Sequence, residues 1–287
     1  MLQRALGLVR RWPSATFFVV SCLWSWRGWL AALATGGTSP GIDPFGPLVA
    51  AVLVTTATEG RRATARLLRR LVQWRVAWHW YAFALGLPVV LSLAAGVATV
   101  ALGAPRPAAE QLARWPELFL AFPVVLAIAG PLGEELGWRG FLLPRLRQGR
   151  SELAAALAVG VIWAGWHLPL LLTNLRAEWV PFLVSVTAAS ILFARLDAGT
   201  GGSVLLAMLF HAAQNTVGGE YLSPMFTGAD SIHLAWLRAG LYALAAAVAT
   251  AWPRPDLTSP GRAASPRGSA RRCRPPPPRR PPAATPR

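Results

Sequence analysis

The sequence predicts an all-α protein: a polytopic transmembrane helix bundle of about eight spans, with both termini on the cytoplasmic side. Three observations lead there. Of 287 residues, 54% are hydrophobic and only 14% charged, where soluble domains carry about a quarter charged residues. The apolar residues fall in long runs, several near the roughly 20 residues that a helix needs to cross hydrocarbon. Every basic residue is an arginine, and the arginines collect between those runs and after Pro253. The net charge of +16 therefore reads as a topology signal, and no nucleic-acid partner is expected.

Taken in order, a basic N-terminus (Met1 to Arg11) leads into a first span from about Ser14 to Ala34, which holds Arg27 and several tryptophans. No small-residue cleavage site follows it, so this helix is expected to be retained and not removed as a signal peptide. A Gly/Pro-rich turn precedes a second, short run from Phe45 to Thr58. Arg61, Arg62, Arg66, Arg69, Arg70 and Arg75 then form a basic amphipathic segment expected to lie on anionic lipid. The third span is Trp80 to Leu102, entered past His79, an interfacial residue on this reading; the fourth begins near Glu117. Spans five to eight cover Leu153 to Leu172, Val180 to Phe193, Ser203 to Val217 and Leu234 to Trp252. With the N-terminus inside, most arginines fall on the cytoplasmic side, with Arg27, Arg106, Arg114, Arg176 and Arg238 as exceptions. Residues 1–252 thus form the membrane domain. The Pro/Arg-rich stretch 253–287 cannot bury a core and is expected to be a disordered cytoplasmic tail. Cys22 and Cys273 make neither a disulfide framework nor a zinc knuckle.

The fourth span is the anomalous one. Glu134, Glu135 and Arg139 sit inside an apolar run from Leu118 to Leu146, where each ionisable group costs about 2.5–3.5 kcal/mol on insertion scales. Glu135 and Arg139, four apart, share a helix face and can pair. Glu134 points about 100° away, toward some other partner. His167 lies in span five, four residues after Trp163; His211 and Asn215, also four apart, lie in span seven. Read singly, the ion pair is packing and each histidine a bonded core residue. Together, three spans present a carboxylate, two imidazoles and an amide. A Glu and a His can deprotonate a water, while a second His and an Asn can donate to an oxyanion. Glu134, His167 and His211 are equally a donor set for an open Zn²⁺ site, so the residues leave the cofactor as none or zinc. No His-Glu-x-x-His or Gly-x-Ser-x-Gly motif is present. A depth count at 1.5 Å per residue puts Glu134 and His211 about 14–17 Å in and His167 about 24 Å, which does not bring His167 level.

Glu134-Glu135-x-x-x-Arg139, Trp163-x-x-x-His167 and His211-x-x-x-Asn215, in that order on successive helices, resemble the motifs of the CPBP family. This is the type II CAAX prenyl protease and bacteriocin-processing (Abi) group of intramembrane proteases. The resemblance covers about residues 45–216, with Trp163 in place of the more usual phenylalanine. It implies an endopeptidase of a bacterial inner membrane acting on a membrane-associated peptide or protein. In that role Glu134 and His167 would activate water, His211 and Asn215 would bind the oxyanion, and Glu135 and Arg139 would support them. Two other classes compete: a non-proteolytic scaffold or bacteriocin-immunity protein on the same fold, and a proton- or ion-coupled transporter using the same polar groups. No internal symmetry favours the transporter.

Overall fold

A computed structural model of the chain describes residues 2–38, 41–172 and 177–251. The tail expected over 253–287, Cys273 and Arg176 lie outside these residues. Every regular element described is helical. In order they are α1 (Leu2–Arg11), α2 (Pro13–Ser25), α3 (Arg27–Thr35), α4 (Gly46–Glu59), α5 (Arg61–Arg69), α6 (Trp78–Ala101), α7 (Ala109–Leu112), α8 (Leu118–Ile128), α9 (Pro131–Glu135), α10 (Leu143–Leu146), α11 (Glu152–Trp166), α12 (Leu168–Leu172), α13 (Trp179–Gly199), α14 (Val204–Ala213) and α15 (Ala229–Ala251). Two π-helical segments interrupt the series, Leu136–Leu142 between α9 and α10, and Gln214–Leu222 after α14.

Among the described residues four stretches are long and apolar enough to cross a membrane: Trp78–Ala101, Ala109–Leu146, Trp179–Gly199 and Ala229–Ala251. The pair α2 and α3, bent by 52° at Trp26, brings the number to as many as five. The short second run becomes α4, with 14 residues, and the fifth becomes α11, with 15; at 1.5 Å per residue both fall short of a hydrocarbon core about 30 Å thick. The run expected as span seven divides into α14 and a π segment. The outer faces are apolar as a lipid-facing surface requires: Val90, Leu93 and Val97 on α6, Phe119, Leu120 and Val124 on α8, and Leu244 and Val248 on α15 are all exposed. The chain is an integral membrane protein.

Local chemistry sets the element ends. Ser151 and Ser203 cap α11 and α14, their hydroxyls accepting from the Ala154 and Leu206 amides. Between α3 and α4, Asp43 accepts from the Phe45 amide at 2.8 Å and pairs with Arg27. The intramembrane charge at Arg27 thus belongs to a turn. That turn carries Pro44 and Phe45 against Gly133, and Pro47 against Gly137. A Cβ at Gly133 would stand 3.0 Å from Phe45 Cα, and one at Gly137 2.8 Å from the Pro47 carbonyl oxygen. Two glycines four apart on the acidic segment therefore let a neighbouring backbone lie against it.

The basic segment departs from its expected role at one residue. Arg61, Arg62, Arg66, Arg69 and Arg75 are exposed, but Arg70 turns inward. It donates to the carbonyls of Gly202 (2.6 Å) and Gly140 (2.7 Å) and to Asp197 (2.8 Å). Burial pulls its guanidinium below the ordinary value, and Asp197 beside it opposes the shift. Asp197, itself buried, also pairs with Arg147. This network ties the turn after α5, the first π segment, the end of α10 and α13 together.

Candidate active site

The acidic motif begins at a break. Gly130, at φ +118°, separates α8 from α9, a conformation open to glycine and strained for L residues. Pro131 then starts α9 at a position where its missing N–H costs nothing. Glu134 and Glu135 follow in one turn and Arg139 falls in the π segment; all three are buried. π segments are rare and recur at functional sites.

The two glutamates have separate partners. Glu135 Oε1 accepts from Arg139 Nη1 at 2.9 Å and lies 2.8 Å from His211 Nδ1. The i,i+4 pair read from spacing is therefore present, and it continues to a third residue on another helix. The Arg139 guanidinium is also sandwiched by aromatic rings, 4.3 Å from the Trp163 centroid and 3.7 Å from that of Phe193. Glu134 points away, as its spacing required. Its Oε2 accepts from the indole N–H of Trp163 at 2.6 Å and of Trp138 at 3.3 Å. Trp138 stands four residues after Glu134, a spacing that could have found it, whereas nothing in the sequence marked Trp163 as a partner 29 residues away.

His167 caps the end of α11, with Nδ1 2.8 Å from the Trp163 carbonyl. A carbonyl can only accept, so Nδ1 carries the proton and Nε2 of the neutral ring is a base. Rings of Trp163, Trp166 and Phe182 surround it at 4.8–5.8 Å. Asn215 opens the second π segment and donates one amide N–H to the Ala129 carbonyl at 3.4 Å, which leaves its other N–H available.

Glu134, His167, His211 and Asn215 all line one cavity of about 380 Å³, together with Gly130, Trp163 and apolar residues from the Ile42–Pro44 turn, α8, α12 and α13. At Gly130 an ideal Cβ would meet Glu134 Oε1 at 2.8 Å and His211 Nε2 at 3.6 Å; the missing side chain is the space between base and imidazole. His167 shares the cavity despite the depth count, which assumed straight helices rising from a common level. Glu135 and Arg139 lie behind the cavity wall.

Among the described residues no three His, Cys, Asp or Glu side chains are grouped to hold a metal ion. Oε2 of Glu134 is occupied by two indoles, and Nδ1 of His167 and of His211 by an oxygen, which leaves Oε1 of Glu134 and Nε2 of both rings.

Fold and site together define a helical membrane protein with a carboxylate–imidazole centre enclosed in the bundle. Residues 116–217, which contain every motif above, match the sequence model of the family described as type II CAAX prenyl endopeptidase Rce1-like. Over 88 residues the chain is 28% identical to CAAX prenyl protease 2 of Methanococcus maripaludis, covering 27% of this chain and 32% of that relative. The match thus spans about a third of the length of the curated relative. Motifs, family match and relative agree that this segment is similar to the type II CAAX prenyl endopeptidases.

Proposed function

We propose that the protein is an intramembrane endopeptidase that hydrolyses a peptide bond in a membrane-associated peptide or protein. The observation that carries this reading is the convergence of Glu134, His167, His211 and Asn215, from three separate helical segments, on one cavity. A water held between Glu134 Oε1 and His167 Nε2 gives a proton to Glu134 as its oxygen adds to the scissile carbonyl carbon. The carbonyl oxygen becomes an oxyanion, and the free N–H of Asn215 and Nε2–H of His211 donate to it. An Nε2–H on His211 requires the imidazolium, because Nδ1 already donates to Glu135; Glu134 and Glu135 together balance the charges of His211 and Arg139. Collapse re-forms the carbonyl and breaks the C–N bond, and Glu134 returns the proton to the leaving amine.

In the proposed topology eight helical segments, α4 and α11 the shortest, cross a bacterial inner membrane, and both termini and the cavity face the cytoplasm. The arginine distribution supports it. The competing reading, a membrane scaffold or immunity protein, draws on the closed Glu135–Arg139–His211 ion-pair set, which would stabilise the bundle without turnover.

The test is cleavage of membrane-anchored peptides by purified protein, wild type beside Glu134→Gln, with and without a zinc chelator. Cleavage that Glu134→Gln abolishes in folded protein, and that chelation leaves intact, is the expected result. Loss on chelation with recovery on added zinc would overturn the metal-free step. Cleavage unchanged in Glu134→Gln would overturn the assignment of the base.

A further inference from the structure

Trp163 is the residue on which the site converges. Its indole N–H lies 2.6 Å from Glu134 Oε2, and its ring packs edge-on to His211 with centroids 5.5 Å apart and tilted against His167 at 5.8 Å. The Arg139 guanidinium stands 4.3 Å from its ring centroid. A second indole N–H, from Trp138, reaches the same Glu134 oxygen at 3.3 Å. Both rings are buried, at 2% and 0% exposure. The other oxygen, Oε1, is the one that borders the open space at Gly130.

The asymmetry has a chemical consequence. An indole N–H donates and cannot accept. With two such donors on Oε2, a proton placed there would face them both, so a proton taken up by Glu134 goes to Oε1, the oxygen toward the cavity. The same two bonds fix the carboxylate against rotation about its last torsion, which is otherwise broad. We propose that Trp163, assisted by Trp138, is a positioning residue that holds Oε2 of Glu134 and so reserves Oε1 for proton transfer. This rests on the endopeptidase reading for its use, but not for its geometry.

The experiment replaces Trp163 with benzothienylalanine, in which sulfur stands in place of the indole N–H while size and aromatic packing stay nearly unchanged. Trp163→Phe serves as a second variant. The first readout is the isotope-edited infrared carboxylate band of Glu134, assigned by its loss in Glu134→Gln, and it needs no substrate. The second is the split between kcat and KM on a membrane-anchored peptide. The expected result is a shifted carboxylate band with kcat lower by about ten- to a hundredfold, the size of a lost hydrogen bond to a charged group, and KM little changed. A band that does not move in folded protein overturns the clamp. A band that moves with kcat unchanged overturns the positioning role. A band that moves in a protein whose wild type cleaves no peptide upholds the clamp and removes the endopeptidase reading instead.

Discussion

Glu135 and His211 meet through a single oxygen: Oε1 of the glutamate lies 2.8 Å from Nδ1 of the imidazole and also accepts from Arg139 at 2.9 Å. One buried carboxylate thus neutralises a guanidinium on its own segment and sets the orientation of a histidine 76 residues away. Glu135→Ala leaves Arg139 charged and uncompensated, with an expected loss of about 3–5 kcal/mol in stability. Adding Arg139→Leu to Glu135→Leu should recover most of that loss, since apolar replacement of a whole buried pair is often neutral, yet leave no turnover because His211 has lost its anchor. Thermal unfolding in detergent, beside cleavage of a membrane-anchored peptide, separates the two effects.

Gly130 offers a sharper test of the cavity. Gly130→Ala puts a methyl 2.8 Å from Glu134 Oε1 at a φ that L residues rarely adopt. Relief means moving the carboxylate, and a displacement of about 1 Å costs on the order of 100-fold in rate. Activity should fall by at least that factor, while the variant still reaches the membrane; wild-type turnover in folded Gly130→Ala would place the reacting water elsewhere.

Asn215→Ala removes one oxyanion donor and no charge. The expected change is a fall of about 10²–10³ in kcat with KM nearly constant, read from a substrate titration. A rise in KM at unchanged kcat would mean that Asn215 binds the ground state.

Arg70 predicts a stability effect far from the chemistry. Arg70→Ala strips the carbonyls of Gly140 and Gly202 of their donor and leaves Asp197 with Arg147. About 2–3 kcal/mol of stability should go, visible as a lower unfolding temperature, and Arg70→Lys should restore only part, since one ammonium cannot reproduce the planar fork.

Much of this was legible in the sequence, and the remainder was not for identifiable reasons. Hydropathy runs located the helices, and spacing paired Glu135 with Arg139 and turned Glu134 elsewhere, because both are local properties of a helix. The Trp163 indole on Glu134 was illegible because the contact spans 29 residues and an interior Trp looks like packing; Trp138, four residues from Glu134, was missed although its spacing is local. Arg238, an exception in the topology count, donates instead to the Gly218 carbonyl at 2.9 Å; charge counting cannot tell a topology signal from a buried donor. The π segments carry no periodicity that a pattern search would find.

Those segments have a consequence for how the chain can change length. Each holds a wide turn behind a motif, and in each an arginine from another helix takes up a carbonyl: Arg70 at Gly140, Arg238 at Gly218. An α-helix advances about 100° per residue, so deleting one residue within 136–142 while the turn stays wide would swing everything beyond it by about that angle. Gly140 would leave Arg70, and α10 would carry Arg147 away from Asp197. Substitutions here can be absorbed one at a time, but a single-residue deletion acts on the whole register at once.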